Sequence, residues 1–152
     1  KNIMPKASVK RLIECNKEQL IDLVLDIESY PLFIPYCLNS KIYEKKEKDD
    51  LILIIADLTI GKGPFKATYK SDVKYYKKID IIHVTNIEGP LKHLDNKWTF
   101  HEKNNCTEIS FDIDFEIENK FLNVVMSKSF QYGLDKIADS FQKRANNLFK
   151  DK

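Results

Sequence analysis

The chain has 152 residues, 43% of them hydrophobic and 32% charged, with 25 basic and 23 acidic side chains and a net charge of +2. That length suits one domain with a core large enough to need no staples. The composition excludes long disorder, and 4 glycines and 5 prolines exclude collagen-like and linker-rich designs. The charge balance is too even to read a nucleic-acid binder from charge alone, and DNA is not an expected partner. No window approaches the ~18 consecutive apolar residues of a membrane span, and Lys1–Pro5 has no apolar signal region. The expectation is a soluble, cytoplasmic protein. Three widely spaced cysteines, Cys15, Cys37 and Cys106, form no CxxC pair and no disulfide framework, which fits free thiols in a reducing compartment.

In chain order, Pro5–Glu14 alternates and reads as a strand. Asn16, three residues before Gln19, is a helix cap, and Leu20, Leu23, Val24 and Ile27 follow at helical spacing, predicting a short helix over 17–27. Ser29-Tyr30-Pro31 begins a second short helix or turn that Pro35 stops. Leu38–Tyr43 is strand-like. Glu44–Asp50, seven charged residues, reads as a solvated hairpin tip. Leu51–Ile60 is apolar on both parities, which predicts a strand covered on both faces. Gly61–Pro64 turns, and Phe65–Tyr76 alternates as a long half-exposed strand. Ile79–Ile87 and Leu91–Glu102 are further strands, separated by the Glu88-Gly89-Pro90 turn. Asn104-Asn105 is a hairpin signal. Ile109, Phe111, Ile113, Phe115 and Ile117 alternate without a break against Ser110, Asp112, Asp114, Glu116 and Glu118, a strand with one apolar and one acidic face. Finally Leu122, Met126, Phe130, Leu134, Ile137, Phe141, Ala145 and Leu148 form one stripe, a single helix near 30 residues.

The order is therefore strand, two short helices, six hairpin-linked strands and one long helix, an α+β architecture. Tight turns make the sheet antiparallel. Its apolar face needs a cover, and only the terminal helix is long enough, so the sheet curls around it. The space between them is lined by the inward parity: Phe65, Tyr69, Trp98, Phe100, Phe111, Phe115, Phe130 and Phe141, with Leu134 from the helix stripe. Ordinary core is the default reading of such residues; an apolar ligand pocket is the functional one. The Tyr30–Cys37 stretch carries Tyr30, Phe33, Ile34 and Tyr36, too many large apolar side chains for a free loop. It either plugs one end of this space or forms a lid on it.

Three stretches carry a family resemblance. Asp26-Ile27-Glu28-Ser29-Tyr30-Pro31-Leu32-Phe33-Ile34-Pro35-Tyr36-Cys37, Glu88-Gly89-Pro90-Leu91-Lys92-His93-Leu94 with Trp98-Thr99-Phe100, and Phe111–Glu116 resemble the coenzyme Q-binding branch of the START-like (SRPBCC) superfamily. That branch is also labelled polyketide cyclase/dehydrase or ribosome association toxin RatA. Phe141-Gln142-Lys143-Arg144-Ala145 fits the same pattern. The family more often has Trp where this chain has Tyr36, and Phe where it has Leu91; both swaps keep apolar bulk. The resemblance implies a helix-grip fold, seven strands around the C-terminal helix, as a single domain over residues 4–149 with short tails 1–3 and 150–152. It implies a non-catalytic protein that needs no cofactor and binds ubiquinone or a related polyprenyl quinone in support of respiratory electron transport. Tyr30, Phe33, Tyr36, Phe65, Tyr69, Trp98, Phe100, Phe111, Phe115, Phe130, Leu134 and Phe141 would line the site. Such a protein would work at the inner face of the membrane or beside respiratory complexes. The alternative it implies is a RatA-like toxin that binds the large ribosomal subunit. An aromatase/cyclase-type enzyme ranks last, because few polar groups fall on the inward parity.

Other chemistry is thin. No Gly-x-Ser-x-Gly elbow or phosphate loop is present. His83, His93 and His101 have no metal-ligand spacing; His83 shares parity with Ile81 and Ile87 and is expected to face inward. Asp112, Asp114, Glu116 and Glu118 are expected in an exposed cross-strand lattice with Lys6, Lys10, Lys97 and His101. Lys66, Lys70, Lys74, Lys77 and Lys78 form a basic stripe, ordinarily a solvated face and otherwise a contact surface for RNA or anionic lipid.

Overall fold

A computed structural model describes residues 6–62 and 64–150, with the side chains of 62, 65 and 122–130 outside that description. The elements are β1 (Lys6–Ile13), α1 (Lys17–Leu25), a 3-10 helix (Ile27–Leu32), β2 (Cys37–Lys48), β3 (Leu51–Lys62), β4 (Phe65–Tyr76), β5 (Ile81–Glu88), β6 (Leu91–Lys103), β7 (Cys106–Ile117) and α2 (Lys120–Phe149). The seven strands form one antiparallel sheet in the order β1-β7-β6-β5-β4-β3-β2. Only the β1–β7 pairing is not between sequence neighbours, and it makes β1 and β2 the two edges. The helix-grip expectation holds.

Local chemistry sets the boundaries. Asn16 accepts from the Gln19 N–H at 2.9 Å while the Gln19 side chain accepts from the Asn16 N–H at 3.0 Å, a reciprocal cap that starts α1. Asn104 and Asn105 take φ of 54° and 67°, the left-handed pair that a two-residue hairpin needs. Gly89 holds φ 129°. A Cβ there would lie 2.9 Å from the Thr68 carbonyl oxygen and 3.2 Å from Tyr69 Cα, so only glycine lets the β5–β6 turn lie this close to β4.

Two expectations change. Glu44–Lys48 is not a tip: β2 runs on to Lys48, leaving Asp49-Asp50 as the turn. An edge strand overhanging the core is wet on both faces, so charge suits it as well as it suits a turn, and it blunts a free edge. The outward residues of β3, Leu51, Leu53 and Ile55, are half-buried although no second layer covers them among the described residues. Their register partners are Lys48, Lys46 and Glu44 on β2 and Tyr76, Lys74 and Asp72 on β4. Long stems and one ring shield them instead.

The core lies on the concave face. α2 runs alongside β1: Gln131 Nε2 donates to the Ser8 carbonyl at 3.2 Å, Arg11 pairs with Asp139 at 3.0 Å, and Lys150 with Glu14 at 2.7 Å. α1 closes the far side, where Lys17 bridges to Asp80 at 2.9 Å and Tyr75 donates to Asp80 at 3.0 Å. Val9, Ile13, Leu20, Val24, Ile54, Ile82 and Trp98 are buried with Leu134, Ala138, Phe141 and Ala145 of α2. The α2 stripe is borne out at 134, 137, 141 and 145, and Ala138 joins it.

Candidate functional site

The interior between sheet and helix has two halves. Toward the C-terminal end of α2 it is solid. Trp98 stacks on Phe111 with ring centroids 4.2 Å apart and planes 12° off parallel, and Phe141 sets its edge on Trp98 at 5.2 Å. Phe33 and Tyr30 complete the cluster, meeting Phe141 edge-on at 5.2 and 5.5 Å. These are the offset and edge-to-face geometries that aromatic quadrupoles favour. The Tyr30 hydroxyl donates to the Val24 carbonyl, and burial pushes its pKa well above the usual phenol range. Arg144 lays its guanidinium 5.3 Å over the Phe33 ring. The gap left among Val9, Arg11, Ile13, Trp98, Ile109, Phe111, Ala138 and Phe141 is about 20 Å³, on the scale of a single water molecule. Within the Tyr30–Cys37 stretch, Tyr30 and Phe33 pack into this cluster.

Toward the N-terminal end of α2 the concave surface differs. Strand registers carry it across Ala56 and Leu58 of β3, Ser71 and Tyr69 of β4, Asn86 of β5, Leu94 of β6 and Phe115 of β7. Leu58, Tyr69, Asn86 and Leu94 are half-buried, unlike Trp98, Phe100 and Phe111. Phe115 is buried on the same face. The same end of the sheet carries the β3–β4 and β5–β6 turns and the start of α2. Leu32 (73%), Phe121 (75%), Leu38 and Ile60 are exposed apolar residues on the segments that border this end.

This half also holds polar groups that strand alternation made available and that the aromatic pattern hid. Asn96 donates to the Asp112 carbonyl at 2.9 Å and accepts from the Trp98 indole at 3.0 Å. Asn86 donates to the Leu91 carbonyl at 3.2 Å and accepts from the Leu94 N–H at 3.1 Å, fixing the irregular β5–β6 junction. Ser71 and Tyr69 are the other two.

The expected lining residues thus divide. Tyr30, Phe33, Trp98, Phe100, Phe111, Leu134 and Phe141 sit in or against the packed core. Tyr69 and Phe115 face the looser half. Tyr36, expected to line the space, is 58% exposed, with φ 65°, and its carbonyl accepts from the Gly61 N–H at 2.9 Å, tying the loop to the end of β3. The side chains of Phe65 and Phe130 lie outside the described residues.

His83 faces outward, contrary to expectation, and pairs with Asp95 at 2.5 Å. Its parity neighbours Ile81 and Ile87 belong to the convex face, while Ile82 and Val84 point to the core. The acidic row of β7 meets Lys6 (3.9 Å to Asp114) and His93 (4.0 Å to Asp114), and Lys92 (3.4 Å to Glu116). A recess of about 460 Å³ runs along β1, β7 and β6 to α2, lined by charged Lys6, Asp95, Lys97, Asp112 and Asp114 and also by Ala7, Ser8, Ile113 and Gln131. The basic stripe is largely compensated: Lys74 pairs with Asp72 at 3.6 Å, Lys78 with Asp50 at 3.3 Å, Lys77 with Glu47, and Lys70 sits 4.9 Å over the Tyr43 ring. Among the described residues there is no group of three or more side chains able to hold a metal ion, and no helix long and apolar enough to cross a membrane.

A sheet gripping one long helix, solid at one end and looser at the other, matches a known family. The family model for polyketide cyclase / dehydrase and lipid transport matches residues 13–142. The chain belongs to that family. Ribosome association toxin RatA of Rickettsia prowazekii is 28% identical over 92% of this chain and 95% of its own length. The mitochondrial coenzyme Q-binding protein of Dictyostelium discoideum is 34% identical over 86% of this chain and 64% of its own length. In fold, the chain is similar to an 18 kDa Caulobacter crescentus protein (TM-score 0.78, 23% identity, 94% and 97% of the two chains). It is also similar to an aromatase/cyclase from a Streptomyces species (TM-score 0.79, 12% identity, 95% and 95%).

Proposed function

We propose that the chain is a non-catalytic carrier of a hydrophobic ring-and-tail ligand, most simply ubiquinone or a related polyprenyl quinone, held between sheet and helix in support of respiratory electron transport. One observation carries the reading. On the concave side, Tyr69, Asn86 and Leu94 stay half-buried where Trp98, Phe100 and Phe111 are buried. The 34% identity to a coenzyme Q-binding relative supports it. Burial there would hold the ligand at roughly 25 cal/mol per Å² of apolar surface, and the exposed apolar side chains bordering this end suit transfer from a membrane.

The test is to purify the protein from a quinone-containing host, extract it with organic solvent and assay the extract by mass spectrometry. Quinone in about stoichiometric amount is expected. An extract without quinone, followed by no uptake of added decylubiquinone, overturns the reading.

The RatA relative favours a second reading, in which the protein binds the large ribosomal subunit and blocks subunit joining, since that match spans nearly the full length of both chains. Gradient profiles of ribosomal subunits decide it: a block abolished by charge reversal at Lys66, Lys70 and Lys74 supports this reading, and unchanged profiles at excess protein remove it.

A further inference from the structure

The two edges of the sheet are covered to different extents. At the β1 edge, α2 lies alongside: Gln131 Nε2 donates to the Ser8 carbonyl at 3.2 Å and Arg11 pairs with Asp139 at 3.0 Å. At the β2 edge, the 3-10 helix covers the first half. The Ser40 hydroxyl donates to the Ile27 carbonyl at 2.7 Å, and Glu28 accepts from the Ile42 N–H at 2.8 Å. From Glu44 to Lys48 every side chain is exposed, and β3 is the strand paired with it. Among the described residues, no hydrogen bond from another element reaches the outer backbone of this stretch. An open strand edge is a template for another strand, and its charges restrict which strand can use it.

The charges here run Glu44-Lys45-Lys46-Glu47-Lys48. Two copies meeting edge to edge about a two-fold axis pair antiparallel. Facing residues then share hydrogen-bonding parity, so the axis passes through a residue that faces its own counterpart. Centred on Lys46, Glu44 faces Lys48 and Lys45 faces Glu47, each twice, which places opposite charges at every position except the axis. Centred on Lys45, only Glu44 and Lys46 are so matched. Centred on Glu47, Lys46 faces Lys48 and the charges repel. In the single chain Glu44 holds Lys46 at 2.9 Å and Glu47 holds Lys77, while Lys45 and Lys48 have no ion-pair partner among the described residues. The Lys46 register sets a carboxylate directly opposite each of these two lysines, at the roughly 4.5–5.5 Å Cβ separation of facing residues.

We infer that the outer half of β2 is the contact edge of a homodimer: Glu44–Lys48 of two copies pair antiparallel about Lys46 and join the two sheets into one. The same charges that turn away other strands fit their own reversed copy. The inference does not depend on the carrier reading.

The experiment is sedimentation equilibrium of the full chain over about 1 μM to 1 mM, the range of weak association. Wild type is expected to dimerise with rising concentration, less so as salt is added. Two double variants separate the charges: Glu44→Lys with Glu47→Lys makes the edge basic, and Lys45→Glu with Lys48→Glu makes it acidic around Lys46. Each alone should self-associate at least about tenfold more weakly, because the facing pairs become like-charged. Mixed in equal amounts they should associate again, since opposite charges then face each other at every position except the axis; this also shows that both variants are folded. Lys46→Thr, which removes the like pair at the axis, should tighten the wild-type dimer about threefold. A wild type that stays monomeric throughout, a dimer that survives both charge variants, or a mixture that does not associate overturns the inference, and a Lys46→Thr dimer no tighter than wild type overturns the register.

Discussion

The two halves of the interior are built from the same residue types but do different work. Toward the C-terminus of α2, five rings from four elements meet within 4.2–5.9 Å and leave about 20 Å³. Toward its N-terminus, Tyr69, Leu58 and Leu94 stay half-buried. Aromatic content alone does not mark a binding site; what marks it is whether the rings satisfy one another.

That contrast can be broken by substitution. Phe141→Ala removes the ring on which Tyr30, Phe33 and Trp98 all converge, and should cost about 3–5 kcal/mol in urea denaturation. Quinone affinity per folded molecule should barely change; a larger effect on binding than on stability would erase the distinction. Tyr69→Ala should do the reverse. It should lower decylubiquinone affinity about tenfold or more, with less than about 1.5 kcal/mol lost in stability. Tyr30→Phe deletes the bond to the Val24 carbonyl and leaves that acceptor without its donor, at about 1 kcal/mol, read as a shift of the denaturation midpoint with binding unchanged.

The smallest effect is a pH dependence. Burial, then the hydrogen bond to Asp80, pushes the Tyr75 hydroxyl up to about 12. Its neutral form is favoured in the folded state, so its stabilising contribution is complete below pH 10 and lost as pH rises from about 10 to 12. Stability measured across that window should fall less steeply for Tyr75→Phe than for wild type; parallel curves would remove the assignment.

Periodicity made most of the fold legible. Ile109–Ile117 admits one reading, and the stripe from Leu134 to Ala145 places α2 on the core. Glu44–Lys48 misleads because an overhanging edge strand and a turn are equally wet. His83 misleads because Ile81 and Ile87 look like core residues, and only pairing with β4 and β6 shows which parity of β5 turns inward. The site was partly legible: parity puts Tyr69 and Phe115 on the concave face, and by the same rule Ser71. Which rings close on one another depends on where the 3-10 helix lands against α2, a long-range outcome that no local spacing encodes.

Gly89 sets how closely the β5–β6 turn approaches β4. With hydrogen in place of a side chain, the loop joining two strands rests directly on the backbone at Thr68 and Tyr69. A single methyl group inserted there would meet the Thr68 carbonyl oxygen at 2.9 Å and wedge the loop outward, while the rings around Phe141, in other elements, would keep their packing.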